Sequence, residues 1–232
     1  LEAKAAAWLH SEDWPLGRPI HRPRWLLMEV CGGFGDTSAC LVRLGGDVGP
    51  VSEIKRGYDF LSPLIFGWLR DVLAAGRVRV LFWQPVCTTY TCAAAPFAYK
   101  EQPYGVFPED LDATRGNLFA LCCFSLVDIQ VAADNLHVGE QPRASYMRHI
   151  PPWRARFAAG DAEVVWNYCS HQQVAPCTFT AEVLYCNSPW IPSFAGDRCV
   201  GTHTHTILLL SASTASFSYT LLLSLPPLPL LL

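Results

Sequence analysis

The sequence predicts an α/β domain built on a mostly parallel sheet, and three observations point to it. Short apolar runs of strand length recur at Trp25–Val30, Val78–Trp83, Leu136–Gly139 and Val164–Trp166. Segments with helical periodicity separate them, so strand and helix alternate. Glycine or proline closes most segments. Strands alternating with helices require crossover connections, and crossovers favour parallel pairing. No internal repeat interrupts this pattern.

The elements follow in order. Residues 1–24 carry Pro15, Pro19 and Pro23 and read as an irregular lead-in after a short helix near Ala3–His10. The strand Trp25–Val30 runs into Cys31-Gly32-Gly33-Phe34-Gly35. Asp36 is placed to cap a helix reaching Leu44, which Gly45-Gly46 stops. Val48–Glu53 is a second strand candidate, weakened by Gly49-Pro50, and Gly57–Leu61 is extended. Pro63 opens a helix to about Ala75, ended by Gly76. The strand Val78–Trp83 leads into the turn that bears Cys87. Residues 93–114 hold Pro96, Pro103 and Pro108 and read as a long loop of lid length. Asn117–Ala133 has helical periodicity, and Leu136–Gly139 is a buried strand ending at Glu140. Arg148–Ala159 holds a short helix after Pro151-Pro152, and Val164–Trp166 and Phe179–Tyr185 supply the last strands.

The bulk properties bound the function. A chain of 232 residues suits one domain, and 51% apolar against 16% charged residues allows a well-filled core. The net charge of −3 gives no basic excess, so any contact with nucleic acid must come from local patches. The 10 cysteines include no C-x-x-C pair, and Cys122-Cys123 are adjacent on a predicted helix. This pattern suits a reduced, intracellular protein better than a disulfide scaffold. No secretory signal opens the chain, which starts at Leu1 rather than Met and leaves room for residues upstream. Beyond Cys199 there is no Asp, Glu, Lys or Arg. The apolar stretch 206–232 has two readings, a disordered extension or a membrane anchor. Its many Ser and Thr, Pro226-Pro227 and Pro229, and the lack of flanking Lys or Arg favour the extension.

Candidate chemistry gathers at predicted strand ends. Cys87 follows a strand through a Pro-bounded turn, and open α/β sheets bind ligands at the carboxyl ends of their strands. A thiolate there is a strong nucleophile, although a buried cysteine also fills cores. The glycine turn after the first strand lets a ligand approach backbone N–H groups at a helix start. Glu53 ends the second strand candidate, where a carboxylate can accept ribose hydroxyls. Glu140, in Gly139-Glu140-Gln141-Pro142, is a carboxylate at a Pro turn. Cys199, His203 and His205 also cluster, with Cys177 and Cys186 elsewhere. Zinc needs three or four ligands, and no second ligand pair is evident, so no metal is assigned.

The order of these motifs resembles that of the cytosine-C5 DNA methyltransferases: glycine turn, acidic strand end, Tyr58-Asp59-Phe60, Pro85-Val86-Cys87, then Glu140-Gln141-Pro142. The resemblance covers residues 25–205, between the lead-in 1–24 and the tail 206–232, and is closest to short members without a large target-recognition domain. It implies a Rossmann-like, S-adenosylmethionine-dependent methyltransferase fold with helices on both sheet faces. The methyl donor would lie along Glu29, Cys31, Gly32, Gly33, Phe34 and Gly35. Glu53 would hold its ribose, Asp59 its adenine amino group, and Pro85 would complete its pocket. Cys87 would be the nucleophile and Glu140 the acid at cytosine N3. Thr88, Gln141 and His171 would contact the substrate, a cytosine flipped out of duplex DNA. Action on genomic DNA implies a nuclear location. The chain departs from the family at Val86, which separates Pro85 from Cys87, and at Gln141, where the family has Asn. Residues 169–180 contain no Arg or Lys, which leaves His171 as the candidate cation there. These departures support an alternative, a degenerate relative that binds nucleic acid or protein without catalysis. Either way, Cys87 and Glu140 should share one sheet edge, with the Gly32–Gly35 turn facing them across a cleft.

Overall fold

The computed structural model describes residues 25–33, 35–59, 61–90, 101–105, 110–167, 177–178, 181–188 and 205–206. Strand β1 (Trp25–Val30) pairs in parallel with β2 (Val78–Trp83), and β2 pairs in parallel with β3 (Leu136–Pro142). After β4 (Ala162–Asn167) and the two-residue β5 (Cys177–Thr178), β6 (Ala181–Cys186) inserts antiparallel between β3 and β4. The sheet order is β1-β2-β3-β6-β4, so four of its five strands point one way. A two-residue strand β7 (His205–Thr206) pairs with β5.

Outside β1, the expected strand Val48–Glu53 is reduced to two parallel bridges, Leu27 to Val48 and Val30 to Ser52. Gly49 N and Ser52 N donate to the Leu27 and Glu29 carbonyls, each at 2.8 Å. Four residue steps on this segment oppose three on β1, so it bulges at Pro50, which has no N–H to offer.

Helix α1 (Asp36–Arg43) follows β1. Its cap is Gly35, left-handed at φ 73°, with Asp36 as the first helical residue rather than the cap expected from sequence. Helix α2 (Pro63–Ala74) starts on Pro63 and stops before Gly76, as the sequence indicates. Helix α3 (Leu111–Ala132) begins six residues before the predicted Asn117, because Asp110 accepts from the Asp112 and Ala113 N–H groups and caps it. Helix α4 (Pro151–Ala158) is short and Pro-initiated.

The helices cover both faces for a topological reason. From β1 the chain moves outward through α1 to the 48–52 segment. From there it reverses past β1 through α2 to β2, and then continues the same way through α3 and α4. Right-handed crossovers therefore place α1 on one face and the other three helices on the opposite face. Phe82, Leu184 and Cys186 pack in one cluster with Cys40 and Leu41 of α1. Leu81, Trp83, Val183 and Tyr185 pack in the other with Leu69, Phe124 and Trp153.

Trp83 is the hub of the larger core. Its ring meets Phe124, Trp153 and Tyr185 at centroid distances of 5.1, 6.2 and 6.0 Å. A Cβ on Gly139, its neighbour across the sheet, would lie 2.5 Å from the indole, which explains a glycine in a buried strand. Trp83 Nε1 donates to His137 Nδ1 at 3.4 Å, and His137 Nε2 lies 3.0 Å from Asp161 Oδ2. Arg156 donates two hydrogen bonds of 3.0 Å to the same carboxylate. The Nε2–H tautomer of His137 satisfies all three groups.

Candidate active site at the carboxyl ends of β1 and β2

The chain leaves β1 and β2 in opposite directions, so their carboxyl ends form the switch point where open α/β sheets bind ligands. A cleft of about 760 Å³ opens there, lined among others by Cys31, Glu53, Gln84, Val86, Thr88 and Arg115.

Cys31, at the head of the glycine turn, and Glu53 lie on one side of the cleft. Cys31 and Gly33 take left-handed conformations at φ 58° and 54°. A Cβ on Gly32 would fall 2.8 Å from Glu29 Cβ, and one on Gly35 would fall 2.6 Å from Val51 Cγ2, so both positions need glycine. Gly33 N donates to Glu53 Oε2 at 3.2 Å, which joins the predicted ribose acid to the predicted donor loop. Burial pushes the Cys31 thiol well up, helped by the hydrogen-bonded Cys123 thiol and the nearby Glu53 charge.

Glu29 does not line the cleft. It is fully buried beneath Gly32, and its Oε2 accepts from Ser38 N at 2.8 Å. Burial raises its pKa, against the Ser38 and Thr37 hydrogen bonds that lower it. Its position ties β1 to α1 and supports the loop, whereas the sequence had placed it along the donor. Asp59 is also drawn elsewhere. Its Oδ1 accepts from Leu61 N at 3.1 Å, and its Oδ2 lies 3.7 Å from Arg115, so it braces a turn outside the cleft lining.

The opposite wall is the turn after β2. Gln84 N extends the β1 ladder to the Val30 carbonyl at 3.0 Å. Gln84 Nε2 donates to Glu140 Oε2 at 3.3 Å, and Gln141 Nε2 donates to the Pro85 carbonyl at 2.7 Å. Trp83 pairs with Gly139, so this register brings Glu140 to the same edge as the Cys87 turn. Cys87 is half-buried and not in a disulfide. The side chains that line the cleft are those flanking it, Val86 and Thr88. Gln141 is spent internally, since its Oε1 also accepts from Ser145 Oγ at 2.9 Å. It clamps the turn through these two bonds, a role the sequence did not suggest. Phe34, His171, Cys199 and His203 lie outside the described residues, as do the lead-in and most of the tail.

Sequence reasoning missed three residues at the site. Arg115 lines the cleft on α3. Tyr90 is fully buried, and its Oη donates to Asn117 Oδ1 at 2.6 Å. The one available signal was Gly116-Asn117 beside a helical pattern, which the prolines upstream masked.

No family model matches the sequence. No curated protein matches it. Among solved structures, the chain is similar to the crystal structure of the S. pombe Dnmt2 methyltransferase, at 10% identity and a TM-score of 0.42. The match covers 78% of this chain and 57% of that one, so the chain spans little more than half of that structure's length.

Proposed function

We propose that this chain binds S-adenosylmethionine in the cleft between β1 and β2 and acts as a DNA (cytosine-5)-methyltransferase-like protein with Cys87 as nucleophile. The observation that carries the reading is the 3.2 Å hydrogen bond from Gly33 N to Glu53 Oε2, which sets a glycine cradle and an acid on the wall facing the Cys87 turn. The residues present fit the donor, since Glu53 lines the cleft as an acceptor for ribose hydroxyls and glycine at 32 and 35 lets the turn pack tightly on Glu29 and Val51. Bound there, the donor supplies a sulfonium methyl group.

The protein's own groups do the rest on this reading. The partner is duplex DNA, in the nucleus, with one cytosine turned out of the stack. The Cys87 thiolate forms a bond to cytosine C6 while Glu140 gives a proton to N3, which makes C5 nucleophilic. After C5 takes the methyl, a base removes the C5 proton, the C6–S bond breaks, the thiolate leaves and N3 returns its proton to Glu140. Glu140 must exchange its Gln84 hydrogen bond for the base.

A second reading, a degenerate relative that binds without catalysis, is favoured by one specific feature. Val86 and Thr88, not Cys87, line the cleft. Two measurements separate the readings. Calorimetry with S-adenosylmethionine should show binding, and none at millimolar concentration sinks the methyl-transfer reading. A duplex carrying 5-fluorocytosine should then trap a covalent adduct that Cys87→Ser abolishes. Donor binding with no adduct leaves the degenerate reading standing.

A further inference from the structure

We propose that Gly116 and Asn117 of α3 form the seat that aims the Cys87 turn, with Asn117 as its positioning residue; this rests on the reading of Cys87 as nucleophile. Asn117 uses both ends of one amide. Its Oδ1 accepts from Tyr90 Oη at 2.6 Å, and its Nδ2 donates to the Tyr104 carbonyl at 2.6 Å. Tyr90 closes the turn in question, since its N–H donates to the Cys87 carbonyl at 2.9 Å. A single side chain on a long helix thus holds two separate stretches of the connection between β2 and α3. The Tyr90 carbonyl in turn accepts from Tyr146 N, which ties the turn to the segment after β3.

Gly116 completes the seat. A Cβ there would lie 2.4 Å from Thr89 Oγ1, so the turn rests against the helix backbone itself. Glycine in a helix interior is destabilising, so its presence fits a close approach of this kind. Thr89 Oγ1 is buried and has no hydrogen-bond partner among the described residues, so shape holds Thr89 in place.

The seat answers a deficit in the sequence. Val86 precedes Cys87 where a proline would fix φ. Attack on a base demands that the thiol be placed to within about 1 Å. The constraint missing from the backbone is supplied from α3.

Two variants take the seat apart without touching the thiol. Tyr90→Phe removes the hydroxyl that reaches Asn117. Asn117→Asp keeps the acceptor for Tyr90 but loses the donor to Tyr104. The readout is the rate at which iodoacetamide alkylates Cys87, resolved by site with mass spectrometry, beside thermal melting and S-adenosylmethionine calorimetry. Each variant should change Cys87 labelling about two- to tenfold, the loss of one hydrogen bond, with Cys31 labelling and donor affinity unchanged. The double variant should change it by less than the product of the two. Cys87 labelling equal to wild type in both variants overturns the seat, and so does a parallel rise at Cys31, which marks general loosening. Should Asn117→Asp fail to fold, Tyr90→Phe decides alone, since it removes one oxygen. Should the wild-type chain fail to bind S-adenosylmethionine, the methyl-transfer reading falls while the labelling still decides the seat.

Discussion

Glu53 and His137 show how single residues divide between function and stability. Glu53 holds the glycine turn through one carboxylate oxygen and lines the cleft. Glu53→Gln keeps an acceptor for Gly33 and removes the charge, so S-adenosylmethionine affinity should fall about ten- to hundredfold by calorimetry, with little change in melting. Burial lowers the pKa of His137, helped by the Arg156 charge, against the hydrogen bond and charge of Asp161 that raise it. The unfolded chain takes up a proton below about pH 6.5 while the folded one resists, so stability should drop as pH falls through that value. Asp161, whose pKa is depressed by His137 and Arg156 against the cost of burial, adds a further loss only at more acid pH. Urea midpoints should decline between pH 7 and 5 in the wild type, and the decline should be shallower in His137→Gln. A flat wild-type profile would contradict the buried network. At this scale the strand-end and turn positions of Cys87, Glu140 and Glu53 were legible in the sequence, since strand ends and turns are local features. The contacts of Glu29, Asp59 and Gln141 were not legible, because their partners (Ser38, Arg115, and Pro85 with Ser145) arrive through tertiary structure.

The elements themselves were legible where their signals sit within a few residues. Pro63 before α2 and Gly76 after it bound that helix from local chemistry alone. The start of α3 was hidden, because three prolines upstream outweighed the cap at Asp110. The Val48–Glu53 strand was weakened at Pro50, as its missing N–H predicts. Strand β3 carries its own test. Gly139 leaves space for Trp83, and the Cβ of Gly139→Ala would sit 2.5 Å from the indole. Overpacking of this kind costs about 1–3 kcal/mol, so urea unfolding should show a loss of that size. The same variant should also disturb the site, because Gln84 and Glu140 follow Trp83 and Gly139 directly along the paired strands.

For the molecule as a whole, reversal of chain direction around β1 creates both the two-faced helix packing and the cleft. A ligand held there bridges the β1 and β2 turns and binds only the folded chain. S-adenosylmethionine at one hundred times its dissociation constant should stabilise the fold by about 2.7 kcal/mol, read as a rise in melting temperature that Glu53→Gln cuts to the equivalent of about 0.4–1.4 kcal/mol at the same concentration. The fold class was evident from alternation alone. The antiparallel insertion of β6 was not, since its place depends on pairing between distant segments. The bulged segment outside β1 has one more effect. A sheet margin normally offers a row of N–H and C=O groups on which a foreign strand can grow. Here that row is broken at Pro50, and the extra residue throws the spacing out of step with β1. The margin beside the cleft is therefore shielded from strand addition and fibre growth.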